Sequence, residues 1–338
     1  MIEQTLAKEL LPMAAVQEKN EEKLLDMPNV VGVALGTREK GEKESEEPVL
    51  SVLVSHKVVS ELLTEDDLVP AKIDDCATDV VEIGEIFAGD AGLVETEDGE
   101  DDDIDIQAAT SSRLTRRMRP APGGFSVGHY KITAGTLGTG CYDLSPFPSV
   151  PPKYYILSNN HVLANSNNAR IGDPILQPGR VDGGRRPRDV IAWLSRFVPI
   201  RFHSGSSRPT NYVDAAIAEV NLQDVDRQIY WGGTIKRLYA APKVNDIVQK
   251  TGRTTGFTTG KVTNINGTVN VNYGGGRVAT FRRQIMTTNM SAGGDSGSLV
   301  ANLDEGAVGL LFAGSARRTI VNNILYVQAL LRVRVTEK

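Results

Sequence analysis

The segment GGDSGS, residues 293–298, is the stretch of this 338-residue chain from which the fold can be worked out. A serine in a tight glycine turn can expose its hydroxyl, and Ser296 stands at that position. Gly294 tolerates backbone angles that other residues avoid, so the N–H groups of Gly294 and Ser296 can point into one space. Two such donors would hold an oxyanion, and one donor is worth roughly 3 kcal/mol of transition-state stabilisation. The alternative is a glycine-rich turn without a chemical role.

A serine hydroxyl is a weak nucleophile unless a base removes its proton. The chain has only four histidines. His161 follows the apolar run YIL of residues 155–157 and the polar turn SNN of residues 158–160, so a strand ends just before it and a turn presents the imidazole. His129 and His203 have no comparable surroundings. We therefore take His161 as the candidate base; the alternative is a histidine with only a structural role.

A catalytic histidine needs a third group that fixes its tautomer and stabilises its cation. Asp214 lies within the apolar segment YVDAAIA, residues 212–218, where a carboxylate is costly unless it is paired. A protonated histidine would be such a partner, whereas the alternative is an acid that caps a turn. The order His161, Asp214, Ser296, with separations of 53 and 82 residues, is the order found in chymotrypsin.

From residue 123 to residue 338 short β-like runs dominate, separated by Gly and Asn turns. These runs are residues 130–134, 155–157, 174–177, 190–198, 215–220, 247–250, 261–269 and 307–312. Many short strands with turn signals predict all-β barrels or sandwiches. The apolar pattern of residues 324–331 predicts one closing helix.

Residues 1–88 predict a small α/β N-terminal domain. Helical patterns cover residues 2–10 and 13–25, and valine-rich runs at 30–35, 49–54 and 78–83 predict strands. Residues 85–105 contain ten acidic residues and no basic one, and arginines follow at positions 113, 116, 117 and 119. Such a segment has too little apolar material to bury, so we predict a charged disordered linker at 89–122. It would act as a tether, or alternatively as a charged arm that covers a binding groove.

The composition excludes several classes of function. The net charge of −5 argues against general nucleic-acid binding. No apolar run approaches the ~20 residues that a membrane span needs, and the start MIEQTLAKELLP lacks the features of a secretory signal. We therefore expect a cytoplasmic protein without a membrane segment. The two cysteines, Cys76 and Cys141, fall in different predicted domains and are expected to be buried thiols rather than a disulfide or metal ligands.

Three short motifs resemble those of chymotrypsin-like (trypsin-like) serine proteases. They are SNNHV at 158–162, DAAIA at 214–218 and GDSGS at 294–298, and the segment TGRTTGFTTG at 251–260 resembles the hairpin that opens the second barrel of such enzymes. Among the broad groups, the disulfide-poor HtrA-like branch is the more similar. The whole chain resembles the bacterial relatives of the plant narrow-leaf protease family, through NVVGV at 29–33, TDVV at 78–81, GTLG at 135–138 and DPILQPG at 173–179.

The resemblance implies a mainly β fold with two six-stranded-type β-barrels and a C-terminal helix, preceded by the α/β domain. It also implies the ability to form a homo-oligomer. In such enzymes the residue six positions before the nucleophile commonly lines the base of the specificity pocket. That residue is Met290 here, with Leu311 and Phe312 as wall residues, so a preference for apolar side chains is expected. Asp295 is expected to be held by local backbone donors or a nearby side chain.

These features together predict a serine endopeptidase that acts on protein or peptide substrates and uses no metal or cofactor. His161, Asp214 and Ser296 would form its triad, and the N–H groups of Gly294 and Ser296 its oxyanion hole. Two alternatives stay open: a non-catalytic protein-binding module on a protease fold, and a narrow regulatory protease with a single partner substrate.

Overall fold

A computed structural model of the chain describes residues 6–40, 43–89, 113–144 and 151–336. The N-terminal part begins with a long helix, α1 (Leu11–Leu25), which has Pro12 in its first turn, where a missing N–H breaks no helical hydrogen bond. The strands that follow are β1 (Val30–Lys40), β2 (Lys43–Val54), β3 (Lys72–Ile73), β4 (Cys76–Glu82) and β5 (Phe87–Ala88). Short 3-10 helices lie at Lys8–Leu10, Ser60–Leu62 and Glu65–Asp67. The helix predicted at 13–25 and the three predicted strands are therefore confirmed.

The strand β1 joins this N-terminal part to the C-terminal part. It pairs with β2, which pairs in parallel with β4, and on its other side it pairs antiparallel with the long strand β18 (Gly256–Asn272). Gly36 lies opposite Asn264, and a Cβ at Gly36 would come within 2.3 Å of the Asn264 side-chain nitrogen. A side chain at this position would therefore displace the Asn264 amide, which glycine leaves in place. The α/β unit predicted at 1–88 thus shares a sheet with the C-terminal part.

The first barrel is an eight-stranded sheet in the described residues, with the order β23-β9-β10-β14-β12-β11-β7-β8. Its strands are β7 (Ser126–His129), β8 (Gly135–Thr136), β9 (Thr139–Asp143), β10 (Tyr154–Ser158), β11 (Pro174–Leu176), β12 (Val190–Phe197), β14 (Ala216–Val220) and β23 (Val333–Arg334). A separate parallel pair consists of β6 (Ala121–Gly123) and β15 (Val225–Ile229). The short helix α2 (Asn160–Leu163) follows β10 directly.

The second barrel belongs to a thirteen-stranded sheet, again counted over the described part of the chain, which also contains β1 to β5. Its other strands are β13 (Thr210–Asn211), β16 (Arg237–Leu238), β17 (Ile247–Gly252), β18, β19 (Val278–Thr288), β20 (Leu299–Asn302), β21 (Gly306–Gly314) and β22 (Arg318–Asn323). The helix α3 (Ile324–Leu331) follows β22, with Asn323 as its N-cap. The hairpin predicted at 251–260 is present, because Gly252 pairs with Gly256.

Apolar side chains from both barrels and from α3 form one shared core. Leu157 comes from the first barrel, Leu299 and Leu310 from the second and Val327 from α3, and all are buried in one cluster. The mainly β fold with two barrels and a closing helix is therefore confirmed. Both sheets exceed the six strands expected for each barrel, because short strands are added to the first and the N-terminal strands join the second.

The prediction of a disordered linker at 89–122 is wrong for the last ten residues of that range. Residues 113–122 pack on the barrels: Leu114 and Ala121 are fully buried, and the backbone N–H of Met118 donates to Oε1 of Gln177 at 2.9 Å. Burial of these two apolar side chains outweighs the charge of the surrounding arginines. Residues 90–112, which include most of the predicted acidic segment, lie outside the described residues.

The strand predicted at 130–134 is wrong. The chain turns after β7, where the N–H of Ile132 donates to the carbonyl of His129 at 3.0 Å. The apolar residues of this segment therefore belong to a turn between β7 and β8 rather than to a strand of their own. None of the helices in the described ranges is long and apolar enough to cross a membrane.

Gln17 anchors α1 to the second barrel and provides a test of the shared sheet. Its side-chain amide is 1% exposed, donates to the carbonyl of Asn266 at 2.7 Å and accepts from the Asn266 side chain at 2.9 Å. We expect Gln17→Ala to lower the free energy of unfolding by about 1–3 kcal/mol, because it leaves buried partners unsatisfied. Chemical denaturation measures this loss.

Glu18→Ala is the matched control, because Glu18 is exposed on the same helix. A surface substitution of this kind should change stability by less than about 0.5 kcal/mol. Equal stability of the two variants would show that α1 does not dock on the barrel through Gln17.

Candidate active site

The turn that carries Ser296 lies where the two barrels meet. Ser296 precedes β20 in the second barrel, and its carbonyl accepts a hydrogen bond from the N–H of Thr136, in the first barrel, at 2.8 Å. The Thr136 hydroxyl also donates to the carbonyl of Gly294 at 2.9 Å. The first barrel therefore holds the turn from one side.

His161 and Asp214 form a close pair. His161 is the second residue of α2, and its Nδ1 lies 2.6 Å from Oδ2 of Asp214, whose side chain is fully buried. The backbone N–H of His161 donates to the other carboxylate oxygen at 3.2 Å. Because the carboxylate holds Nδ1, the imidazole presents Nε2 as its other nitrogen. The pairing of these two predicted residues is thus observed, and the polar turn predicted before His161 is the start of a short helix.

Two asparagines hold the backbone around Asp214. The carbonyl of Asp214 accepts from the Asn159 side chain at 2.7 Å and from the Asn322 side chain at 3.1 Å, and the N–H of Asp214 donates to Oδ1 of Asn322 at 3.2 Å. All three residues are buried. The position of the carboxylate is therefore set by neighbours from the first barrel and from β22.

Tyr273 is a residue of this site that the sequence did not reveal. It follows β18, and its hydroxyl donates to Oδ2 of Asp214 at 2.7 Å, the same oxygen that faces His161. Burial and the Asp214 carboxylate raise the pKa of Tyr273 well above its usual value, so the phenol remains a donor. Its ring meets the His161 imidazole edge to face, with 6.1 Å between centroids. A lone tyrosine at the end of an alternating apolar run carries no signal of this role.

The glycines around Ser296 are required by the shape of the turn. Gly294 and Gly297 have φ angles of 91° and 98°, in the left-handed region that favours glycine. A Cβ at Gly294 would lie 2.4 Å from the Thr254 hydroxyl, and one at Gly297 would lie 2.0 Å from the Ser158 hydroxyl. The unusual backbone angles expected for Gly294 are thus present.

The N–H groups of Gly294 and Ser296 differ from those of the residues that alternate with them in this turn. Those of Asp295, Gly297 and Ser298 donate to backbone carbonyls at 2.8–3.1 Å. Those of Gly294 and Ser296 have no acceptor among the residues that the structure describes. These are the two donors that an oxyanion would need.

The hydroxyl of Ser296 and the imidazole of His161 do not bond each other in this structure. Ser296 Oγ donates to the carbonyl of Phe312 at 3.5 Å. His161 Nε2 is buried and has no hydrogen-bond partner within the described ranges. The backbone of Gly89 lies beside this nitrogen, because a Cβ built on Gly89 would be 3.4 Å from Nε2. The imidazole is therefore covered by a backbone segment and makes no hydrogen bond to Ser296.

A buried ion pair holds the acid next to Ser296. Lys250 Nζ lies 3.0 Å from Oδ2 of Asp295, and both side chains are fully buried. Asp295 also accepts from the backbone N–H groups of Thr254 and Thr255 at 2.8 and 3.1 Å and from the Thr255 hydroxyl at 2.6 Å. Burial lowers the pKa of Lys250, and Asp295 opposes that shift. The expectation that local donors and a side chain satisfy Asp295 is confirmed, although Lys250 itself was not identified.

A cavity of about 370 Å³ lies beside Ser296, and its wall includes Leu311, one of the three predicted pocket residues. The barrel residues around it are otherwise small: Ser291, Ala292, Gly293, Ala313, Gly314, Ser315 and Ala316. Phe312 contributes its carbonyl to Ser296, but its ring is buried and packs 4.8 Å from that of Phe281. Leu311 is thus the predicted pocket residue that the structure brings to the cavity.

The structure corrects the prediction for Met290. Met290 is not among the residues that line this cavity. Its side chain packs in the core of the second barrel with Val262 and Val300, and a Cβ at Gly260 would come within 2.6 Å of its sulfur. The missing side chain at Gly260 leaves the space that Met290 fills. The small residues named above, rather than a methionine, therefore shape the cavity.

The described residues contain no group of three or more His, Cys, Asp or Glu side chains that could hold a metal ion. Both cysteines are buried free thiols, as predicted. Burial raises the pKa of Cys141 to about 12, and burial also raises the pKa of Cys76. Neither thiol is therefore a nucleophile near neutral pH.

Comparison with known proteins gives similarity of fold only. No protein-family model matches the chain, and no curated protein matches its sequence. Among solved structures, Thermobifida fusca protease A has a TM-score of 0.44 and 16% identity, over 64% of this chain and 97% of its own. Cellulomonas bogoriensis chymotrypsin has a TM-score of 0.41 and 19% identity, over 63% of this chain and 96% of its own. Nocardiopsis protease has a TM-score of 0.42 and 17% identity, over 63% of this chain and 97% of its own. What the site can do follows from its own side chains.

The buried ion pair yields a prediction about stability. We expect Lys250→Met to lower the free energy of unfolding by about 3–5 kcal/mol, because it leaves the Asp295 carboxylate buried without its cation. Chemical denaturation at neutral pH measures the change. Lys243→Met is the control, because Lys243 is exposed in the loop before the same strand. A loss no larger than that of the control would show that the pair does not hold the turn.

Proposed function

We propose that this protein is a serine endopeptidase with Ser296 as nucleophile, His161 as general base and Asp214 as the group that orients the base. The observation that carries the proposal is the His161–Asp214 pair, whose Nδ1 and Oδ2 atoms are 2.6 Å apart with the carboxylate fully buried, at the same barrel boundary as the Ser296 turn. The two N–H groups of Gly294 and Ser296 support it, because they have no described acceptor and can form the oxyanion hole.

In the proposed reaction the Ser296 oxygen bonds to the carbonyl carbon of a peptide bond, and its proton passes to Nε2 of His161. The carbonyl oxygen becomes an oxyanion held by the N–H groups of Gly294 and Ser296. The carbon–nitrogen bond then breaks, and the leaving amine takes the proton from His161. A water molecule repeats the sequence on the acyl-enzyme, which releases the acid and restores Ser296.

Asp214 and Tyr273 support the base in this scheme. The carboxylate keeps Nδ1 of His161 protonated, so that Nε2 is the nitrogen that accepts the serine proton. Tyr273 is a positioning residue, because its hydroxyl bonds Asp214 rather than substrate. Oδ2 of Asp214 thus faces both the Tyr273 hydroxyl and Nδ1 of His161. The hydroxyl holds this oxygen in place beside the imidazolium that forms during the proposed reaction.

We also propose that the turn needs no proteolytic cut to take up its shape. The acid before Ser296 is satisfied by Lys250 and by backbone N–H groups from the β17–β18 turn. All of these groups belong to the second barrel. A newly formed chain end is therefore not needed to hold Asp295.

Because the proposed reaction cleaves a peptide bond, the substrates would be proteins or peptides. The cavity beside Ser296 has small residues and Leu311 on its wall, which favours an uncharged side chain. A narrow regulatory protease with one partner, and a non-catalytic binding module, are the alternatives. The relationship to the narrow-leaf protease family and to HtrA-like enzymes, the cytoplasmic location and the homo-oligomer stay predictions.

Covalent labelling of Ser296 tests the proposed function. A fluorophosphonate probe should label the full-length protein at Ser296, identified by mass spectrometry, because only an activated serine reacts quickly. Ser296→Ala should abolish labelling and lower peptide turnover by around a millionfold. Ser206→Ala is the control, because Ser206 is exposed and does not line the cavity beside Ser296. Labelling that survives Ser296→Ala would exclude this nucleophile.

The role of Tyr273 gives a second prediction. We expect Tyr273→Phe to lower kcat by about 10- to 100-fold, because a hydrogen bond to a charged group is worth about 1.5–3 kcal/mol. KM should stay the same, since Tyr273 does not touch substrate in this scheme. Tyr239→Phe is a matched control, because its hydroxyl also donates to a carboxylate, that of Asp246 at 2.8 Å. Equal kcat values for the two variants would contradict the positioning role.

A further inference from the structure

The strand β5 lies in the cleft beside the candidate nucleophile. Ala88 pairs with Ala313 and Phe87 with Gly314, so β5 runs antiparallel to the end of β21. On its other side Phe87 pairs in parallel with Asn272 of β18, whose N–H donates to the carbonyl of Ile86 at 2.9 Å. β5 therefore sits between two strands of the second barrel.

The direction of this strand leads toward the triad residues. After Phe87 and Ala88 the next residue, Gly89, lies against the His161 imidazole, with its Cβ position 3.4 Å from both Cδ2 and Nε2. His161 Nε2 is buried there, and Ser296 is only 4% exposed. The segment thus covers Nε2 of His161, the atom that accepts the proton in the proposed reaction, and shares the wall of one cavity with Ser296.

A peptide substrate of the proposed enzyme would need the same place. Extended peptides bind by adding a strand to an exposed sheet edge, where main-chain hydrogen bonds give affinity. The edge at Ala313 and Gly314 is next to Phe312, whose carbonyl accepts from Ser296 Oγ. A substrate carbonyl can reach Ser296 along that edge only if β5 leaves it.

We infer that residues 84–89 of this chain are an intramolecular ligand that occupies the peptide-binding edge and holds the enzyme in an inhibited form. This inference rests on the proposed function. The occupant is the segment GEIFAG, and the partner that displaces it is an extended peptide substrate.

The described part of the segment is anchored at its N-terminal end. Ile83 and Ile86 are fully buried in the core cluster that contains Phe281 and Phe312, and Glu82 pairs with Arg317 at 2.9 Å. Gly89, at the other end, is only partly buried. Residues 87–89 can therefore leave the edge while the isoleucines stay in the core.

The segment also leaves the cavity beside Ser296 poorly filled. Gly84, Glu85, Phe87 and Gly89 form one side of its wall, and about 370 Å³ remains between them and the barrel. Gly89, the residue nearest His161, has no side chain to place there. A substrate whose side chain fills this space gains contacts that the internal strand lacks, so it can compete for the edge.

The test weakens the strand in the full-length protein at Phe87 and at Ala88, a small member of the same buried cluster, and leaves the two anchoring isoleucines unchanged. Ala88→Asp places a carboxylate where the side chain is 5% exposed, and Phe87→Gly removes the half-buried ring beside the cavity. Both should raise the rate of fluorophosphonate labelling at Ser296 by about tenfold or more, because apparent reactivity scales with the fraction of open molecules. Ala71→Asp, at an exposed position of the N-terminal part, should leave the rate unchanged.

Hydrogen exchange and a competing peptide complete the experiment. Amide exchange of residues 86–89 should become faster in both variants, while that of β1 stays slow. The synthetic peptide GEIFAG should slow labelling of Ala88→Asp and should compete with a peptide substrate.

Two results would overturn the inference. Variants with a displaced strand that label no faster than the wild type would show that β5 does not inhibit, and slower labelling would show that β5 is part of the working site. If exchange shows displacement but Ser296 is unlabelled in the wild type and in every variant, the proposed function itself fails.

Discussion

The long strand β18 imposes the constraint on which the rest of the C-terminal part depends. About half of its 17 residues are buried, including the continuous run from residue 264 to residue 269, and buried backbone N–H and C=O groups are almost always paired in folded proteins. β18 meets this requirement by pairing with β17, β1 and β19 along its length and with β5 at its end. The N-terminal part is therefore held by the same backbone hydrogen bonds that build the second barrel.

The end of β18 also links the cleft to the buried carboxylate. Asn272 pairs with Phe87 of β5, and the next residue, Tyr273, donates its hydroxyl to Asp214. The last residue of β18 and the residue that follows it thus contact the segment that covers the cleft and the carboxylate that faces His161. An unpaired strand edge can pair with other chains, and β5 covers the edge beside Ser296 here.

Two fully buried carboxylates, Asp214 and Asp295, organise the candidate site in different ways. Removing a carboxylate from water costs several kcal/mol unless charge and hydrogen bonds compensate it. Asp295 has the ammonium of Lys250 as its partner, so the Ser296 turn is held by a permanent opposite charge. Asp214 instead faces His161 and Tyr273, and its opposite charge appears only when the imidazole takes up a proton. The first carboxylate therefore holds the shape of the turn, whereas the second would stabilise the imidazolium of the proposed reaction.

Local sequence patterns determined much of this molecule. Apolar runs bounded by turn residues predicted most of the strands and the helix α3, and the Gly-Asp-Ser-Gly turn predicted the left-handed angle at Gly294. The His161–Asp214 pair could be predicted because a carboxylate within an apolar run needs a partner and the chain has few histidines. These features depend on neighbours in sequence, or on a chemical demand that one residue type alone can meet.

Only the tertiary structure decided which edges pair and which side chains meet. β1 joins β18 across more than 200 residues, Tyr273 reaches Asp214 across 59 residues and Lys250 reaches Asp295 across 45. Met290 fills a space in the core because Gly260 leaves it, rather than lining the cavity. Alternating apolar residues show which face of a strand is buried, but every strand offers similar N–H and C=O groups at its edges. The choice of partner, including the placement of β5 in the cleft, therefore depends on how the whole chain packs.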